Sequence, residues 1–150
     1  MKPLNVLISE LRAVDDKSPT YAATFECVLA KIVALRTVDA ILPLLSCFDD
    51  DAPYDEVMFS IIHGIETFDD KAYLEQVLRG SVDLCANSPR WASILFMSIL
   101  NAETCRHELV RQLRDADQKT KIAIKDIMEK INARSVRFLE KTTPVIAATL

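Results

Sequence analysis

Apolar residues recur at three- and four-residue spacing along most of the chain, which is the period of an amphipathic α-helix. The strongest apolar stripe runs from Tyr54 to Phe68 and predicts one helix over these residues. Phe59 lies off the stripe, so apolar surface extends around more of this helix than one buried face needs. We therefore expect Tyr54–Phe68 to be a central helix that packs on several sides. The stripe consists of Val57, Met58, Ile61, Ile62, Ile65 and Phe68.

Three prolines mark predicted helix starts, because the missing N–H of proline needs no partner at the first helical position. Ser18-Pro19 and Ser88-Pro89 each combine such a proline with an N-cap serine, and Pro53 precedes the central stripe. The prolines are 34 and 36 residues apart, and two predicted helices follow each of them. This spacing fits a short α-solenoid-like stack of helical hairpins, and a compact bundle of antiparallel hairpins explains it equally well.

The whole chain is predicted to be all-α, with about seven helices. Only two of the 150 residues are glycine, which is too few for the tight turns of a hairpin-rich β protein. The length fits one domain, residues 1–150. The predicted helices are antiparallel neighbours, because their connections are short.

Three interruptions of the helical pattern are expected. Pro43 should kink or divide the predicted third helix, which follows Thr37 and carries apolar residues from Val38 to Phe48, because proline removes a backbone hydrogen bond. Gly80 and Ser81 should interrupt or loosen the fifth helix, which follows the central one, because glycine is a poor helix former. The pattern weakens over residues 133–150, where we expect one short helix broken at Pro144 and a weakly ordered tail.

Charge is distributed unevenly along the sequence. The chain has a formal net charge of −4 and a pI of about 5.2. Residues 49–75 contain nine acidic residues and one lysine, a balance of −8, whereas residues 106–141 contain ten basic and six acidic residues, a balance of +4. The acidic total disfavours nucleic acid or an anionic membrane as a partner, and the mixed signs of the basic segment are typical of solvated helix faces.

The acidic segment is the candidate partner-binding surface, because an acidic patch accelerates association with a basic protein. The alternative is that these carboxylates only cap helices and keep the protein soluble. The candidate residues are Asp49, Asp50, Asp51, Tyr54, Asp55, Glu56, Asp69 and Asp70.

The sequence predicts no catalytic site, no metal site and no cofactor. The two histidines, His63 and His107, do not follow a glutamate at the spacing that di-metal helix bundles use, and no phosphate-binding or nucleophile motif is present. His63 lies three residues before Glu66, within reach of its side chain. A buried, hydrogen-bonded histidine that fixes helix packing is favoured here, and an enzyme built around His63 remains an alternative.

The four cysteines are expected to be reduced and buried, since no C-x-x-C pair occurs and each lies near an apolar helical run. No apolar run is long enough for a membrane span, and no signal-peptide pattern begins the chain. We therefore expect a cytoplasmic protein. The cysteines are Cys27, Cys47, Cys85 and Cys105.

The stretch from Ala52 to Ile131 resembles the bacterial polymorphic-toxin immunity proteins grouped as the immunity protein 30 family. One matching block is residues 54–68, and the other is residues 88–95 followed by Ile99-Leu100-Asn101. Residues 1–48 and the segment after Asn132 carry no such resemblance.

The resemblance implies a small cytosolic protein that is not an enzyme and that binds and blocks a cognate toxin domain. Such toxins include nucleases and domains delivered by contact-dependent growth inhibition, and a basic nuclease would suit an acidic inhibitor. We expect a monomer that forms a 1:1 complex with the toxin, and a generic helical-repeat adaptor is the alternative. The matching blocks, which contain Val57, Ile61, Trp91 and Leu95, are expected to lie in the core instead of at the interface.

Overall fold

The computed structural model describes residues 2–150, which contain nine α-helices, two 3-10 turns and no strand. The all-α prediction is confirmed, while the number of helices is nine instead of about seven. None of these helices is both long enough and apolar enough to cross a membrane. The helices are α1 (Leu4–Arg12), α2 (Tyr21–Ala34), α3 (Ile41–Leu45), α4 (Asp55–Ile65), α5 (Asp70–Asn87), α6 (Pro89–Asn101), α7 (Glu103–Leu113), α8 (Gln118–Arg134) and α9 (Leu139–Ala148), and the 3-10 turns are Val38–Ala40 and Val136–Phe138.

Helices α2, α4 and α6 begin at residues 21, 55 and 89, each 34 residues after the last. α2 and α4 are parallel, because equivalent positions of the two helices are hydrogen-bonded. The Ser60 hydroxyl donates to Glu26 at 2.9 Å, and just past the helix ends the Arg36 guanidinium donates to the Thr67 hydroxyl at 2.9 Å. The period predicted from the prolines thus corresponds to hairpins stacked with their first helices side by side.

Two of the three helices predicted to start at a proline begin later than predicted. α2 and α4 begin two residues after Pro19 and Pro53, so neither proline is the first helical residue. Ser18 forms a local turn, in which its hydroxyl accepts a hydrogen bond from the Thr20 N–H at 3.2 Å. Such side-chain turns compete with the helix for the same backbone groups. Only Pro89 occupies the predicted first position.

Helix α5 is continuous through Gly80 and Ser81, so the predicted interruption there is wrong. A Cβ atom at position 80 would lie 2.9 Å from Leu42 Cδ1 and 3.1 Å from Leu45 Cδ1. Ser81 is fully buried, and its hydroxyl donates to a carbonyl of its own helix. The small residues therefore allow α3 to pack closely against α5.

The centre of the fold is α5 and not the segment Tyr54–Phe68. α5 packs against α3, α6, α7 and α8, whereas α4 packs mainly against α2 and α3. The segment 54–68 does contact several elements, since Phe59 also meets Trp91 of α6, but its fully buried residues lie on one face and Phe59 is 39% exposed. An apolar side chain on a helix does not by itself imply burial, since much of any protein surface is apolar.

The two internal prolines are accommodated in different ways. The predicted third helix is divided into a 3-10 turn and α3, and Pro43 lies in the first turn of α3, where its missing N–H is harmless. α9 continues across Pro144, so the predicted break is wrong. α9 packs against α7 and α8, and Thr142 and Val145 on its inner face are fully buried. This packing holds the helix despite one missing backbone bond.

The four cysteines are free thiols. Cys27 is exposed, which corrects the expectation that all four are buried, and the other three are half-buried. Burial raises the pKa of Cys85 to about 11. Burial, together with a hydrogen bond to Asp70, raises the pKa of Cys105 to about 12. Both thiols are therefore protonated, and poor nucleophiles, at neutral pH.

Candidate partner-binding surface

The predicted acidic residues form two groups at opposite ends of α4. Residues 49–56 lie at its N-terminal end, and Asp69 and Asp70 lie beyond its C-terminal end. With 11 residues at about 1.5 Å each, the helix separates the two groups by about 16 Å. One helix therefore lies between the two halves of the acidic segment.

Asp50 is part of the fold, because it caps the N-terminus of α6. Its two carboxylate oxygens accept the backbone N–H groups of Arg90 at 2.9 Å and Trp91 at 3.0 Å. These N–H groups have no partner within the helix, and a negative charge is favoured at this end. Ser88, the predicted cap, instead donates its hydroxyl to the Phe48 carbonyl at 2.9 Å.

Asp55 forms a bidentate ion pair with Arg90, with N–O distances of 2.8 and 3.2 Å. The hydrogen bonds from Arg90 hold the pKa of Asp55 below its ordinary value. Both side chains are about half exposed, so the pair contributes little stability, but it fixes both groups in place. Further along the same two helices, Ser98 donates to Glu66, so α4 and α6 are parallel.

Asp69 and Asp70 also have structural partners. Asp69 caps α5, because its carboxylate accepts the Ala72 N–H at 3.1 Å. Asp70 is half-buried and accepts the Cys105 thiol at 3.1 Å. The carboxylates at this end of α4 are thus engaged with α5 and α7.

Three acidic residues remain directed to solvent at the N-terminal end of α4. Asp49, Asp51 and Glu56 are exposed, and within residues 2–150 none of their side chains is hydrogen-bonded to another helix. The only side-chain bond among them is local, from the Asp51 N–H to Asp49 at 2.9 Å. Beside them the Tyr54 ring is 46% exposed and rests 6.1 Å from the ring of Tyr21, which is buried.

The outer side of α4 adds an aromatic pair to these acids. Glu56, Phe59 and His63 follow at three- and four-residue spacing and share one side of the helix. Phe59 and the buried Trp91 ring are nearly perpendicular, with centroids 5.0 Å apart, and the His63 ring lies over Phe59 with centroids 6.5 Å apart. His63 is exposed, so the buried histidine expected from the sequence is wrong. We call this surface the α4 face: Asp49, Asp51, Tyr54, Glu56, Phe59 and His63.

Within residues 2–150 no hydrogen bond joins His63 to Glu66, whose carboxylate instead accepts one from Ser98 on α6. The ring of Phe59 is stacked on His63. Residues 2–150 contain no group of three or more histidine, cysteine or acidic residues placed to hold a metal ion. Within residues 2–150, His63 is therefore not hydrogen-bonded to a base or a nucleophile, as a catalytic histidine would be.

Two residues of this region were missed at the level of sequence. Arg90 contacts Asp55, which is 35 residues earlier in the sequence, and no local sequence pattern predicts such a pair. Phe59 does carry a signal, since it lies off the apolar stripe of α4, a position that is taken, from the sequence alone, as evidence of further burial. Its place on the side of the helix opposite Ile61, which is fully buried, indicates exposure.

The basic segment is interrupted by acidic partners, as its mixed signs predicted. Arg111 pairs with Glu108 at 2.6 Å, and Lys130 pairs with Asp126 at 3.1 Å. Arg106 donates to the Leu100 carbonyl at 2.7 Å near the C-terminus of α6. Two of the ten basic residues of this segment are thus paired with nearby acids.

Replacing Asp50 by alanine should lower the free energy of unfolding by about 1–2 kcal/mol, which is the usual effect of losing a good helix cap. The matched control is Asp51→Ala, which removes the neighbouring carboxylate without removing a cap and should change stability little. Urea denaturation of both variants measures the difference. Equal midpoints for the two variants would contradict the capping role.

A family model described as immunity protein 30 matches residues 12–109, which is about two thirds of the chain. The match begins earlier than the resemblance seen in the sequence, which started at Ala52, and it ends before Ile131. It includes α2 and α4 to α6, the helices that carry the α4 face and its supports. No curated protein matches the chain, and no solved structure does. The extent of the family match shows that this chain belongs to the immunity protein 30 family.

Proposed function

We propose that the protein binds a cognate bacterial toxin domain in the cytoplasm and neutralises it without being an enzyme. The match to the immunity protein 30 family is the observation that carries this proposal. We further propose that each chain binds one toxin domain, with no nucleic acid or membrane taking part. A nuclease delivered by contact-dependent inhibition is the toxin class that best suits an acidic inhibitor.

We place toxin recognition on the α4 face, because it joins uncommitted carboxylates to exposed aromatic rings. Asp49, Asp51 and Glu56 supply negative charge that can steer a basic partner. Tyr54 and Phe59 supply the aromatic area that typically anchors the centre of a protein interface. Both rings rest on buried aromatic residues, so little conformational freedom is lost when a partner covers them.

Within the acidic segment, the proposal gives different roles to different residues. Asp50 and Asp55 hold the start of α6 against α4 and so support the face from behind. Asp69 and Asp70, at the far end of α4, are bound to α5 and α7. Direct contact with the toxin is therefore assigned first to the α4 face.

Co-expression with the toxin domain encoded beside its gene tests the proposed function. The protein should restore growth of cells that produce the active toxin, and it should co-purify with a catalytically inactive toxin variant. An immunity protein from a different family, produced at the same level, is the control for general effects of expression. Folded protein that neither restores growth nor co-purifies would contradict the proposal.

A further inference from the structure

A second apolar surface lies between α5 and α8, and it shares no residue with the α4 face. Ile122 on α8 is 60% exposed, and Val82 on α5 is 38% exposed. Both side chains line one shallow groove whose floor is made of small residues. We call it the α5–α8 groove: Val82, Cys85, Ala86, Lys119, Ile122, Ala123 and Asp126.

The two charged residues of the groove have opposite signs and lie symmetrically about its apolar centre. Lys119 lies three residues before Ile122, and Asp126 lies three residues after Ala123, so the two charges are equally far from the midpoint between Ile122 and Ala123. Their spacing of seven residues is about two helical turns, so both lie on the same side of α8. A twofold axis through this midpoint would bring Lys119 of each copy opposite Asp126 of the other, so that two such pairs form.

We propose that the α5–α8 groove binds a second copy of this chain, with the two α8 helices antiparallel. An interface around a twofold axis must be complementary to itself. Here Ile122 of each copy enters the apolar groove of the other, and the Lys119–Asp126 pairs close its two ends. The charge pattern favours a second copy over an unrelated partner, because the positive end of one α8 helix meets the negative end of an identical antiparallel α8 helix.

The existing contacts of the groove permit this pairing. Asp126 is already paired with Lys130 at 3.1 Å, but both side chains are more than half exposed. Such a solvated pair on one helix contributes little, so Asp126 can also accept Lys119 of the second copy. One helix pair buries less area than a standard interface of about 800 Å² per partner. The dimer is therefore weak and depends on protein concentration.

The pairing does not depend on the proposed toxin binding, since the two surfaces have no residue in common. If each chain still binds one toxin domain, the assembly has two immunity chains and two toxins. Dimer formation is measured with the immunity protein alone. A failure of this inference thus leaves the proposed function untouched, and the reverse also holds.

Analytical ultracentrifugation of two charge variants and of their mixture tests the twofold pairing. Lys119→Asp places like charges together at both ends of the groove, and so does Asp126→Lys, so each variant alone should be monomeric at concentrations where the wild type associates. In the mixture each carboxylate of the first variant faces a lysine of the second, and association should return. Lys125→Asp, an equal charge change on α8 outside the groove, is the control and should dimerise as the wild type does.

A further variant, Ile122→Glu, separates the apolar contact from the charge pattern and should also abolish association. Circular dichroism of each variant establishes that its helices are retained. A wild type that stays monomeric up to millimolar concentration would overturn the inference, and so would a mixture of charge variants that does not associate. If Ile122→Glu leaves self-association unchanged but loses toxin binding, the groove belongs to the toxin and not to a second copy.

Discussion

Replacing Trp91 by alanine should lower the free energy of unfolding by about 3–5 kcal/mol, the usual effect of truncating a fully buried large aromatic side chain. Trp91 has no exposed surface. Its ring lies 6.1 Å from that of Phe48 in a stacked arrangement and 5.0 Å from Phe59 in an edge contact. Alanine would leave a cavity between two helices and the loop before α4. Chemical denaturation followed by circular dichroism measures the loss.

Trp91→Phe is the matched control, because it keeps an aromatic ring between Phe48 and Phe59. The indole Nε1 is buried and has no hydrogen-bond partner among residues 2–150, so its removal relieves an unsatisfied donor and offsets part of the lost contact area. The phenylalanine variant should therefore be clearly more stable than the alanine variant. An unchanged denaturation midpoint in Trp91→Ala, together with lost toxin binding, would instead place Trp91 at the interface.

The helical period allowed the fold class and most helix positions to be predicted, because it depends on local spacing alone. The start of α6 at Pro89 is of this kind. The errors arose where a distant helix decides the local outcome. Gly80 lies within a helix because α3 packs against it, and Pro144 lies within α9 because α7 and α8 cover that helix.

The candidate site shows the same division between local and distant causes. The sequence located the acidic segment, but its carboxylates cannot be sorted into structural and uncommitted groups without the fold. Asp50 and Asp51 are neighbours in sequence, yet only Asp50 reaches the backbone of α6, 40 residues away. Net charge depends on composition alone, whereas the partner of each charge depends on which helices the stack brings together.

The prediction with the largest expected effect on function is that neutralising the uncommitted acids slows association with the toxin. The variant Asp49→Asn, Asp51→Asn and Glu56→Gln removes three negative charges from the α4 face while keeping side-chain size. Asp50 and Asp55, which hold α6, are left unchanged, so stability should be retained. Electrostatic steering typically accelerates association by tenfold or more, and the association rate should fall by about that factor at low salt. Stopped-flow binding to a catalytically inactive toxin measures it.

The matched control removes three charges from the basic segment, with Arg114→Gln, Lys121→Gln and Lys125→Gln. None of these three residues takes part in an ion pair within residues 2–150, so this variant should also keep its stability. With a basic toxin its association rate should stay the same or rise. The rate for the wild type should fall as salt increases, because ions screen exposed charges, whereas the acid-neutralised variant should depend on salt much less. If only the basic-segment variant binds more slowly, the toxin surface is acidic, and recognition does not lie on the α4 face.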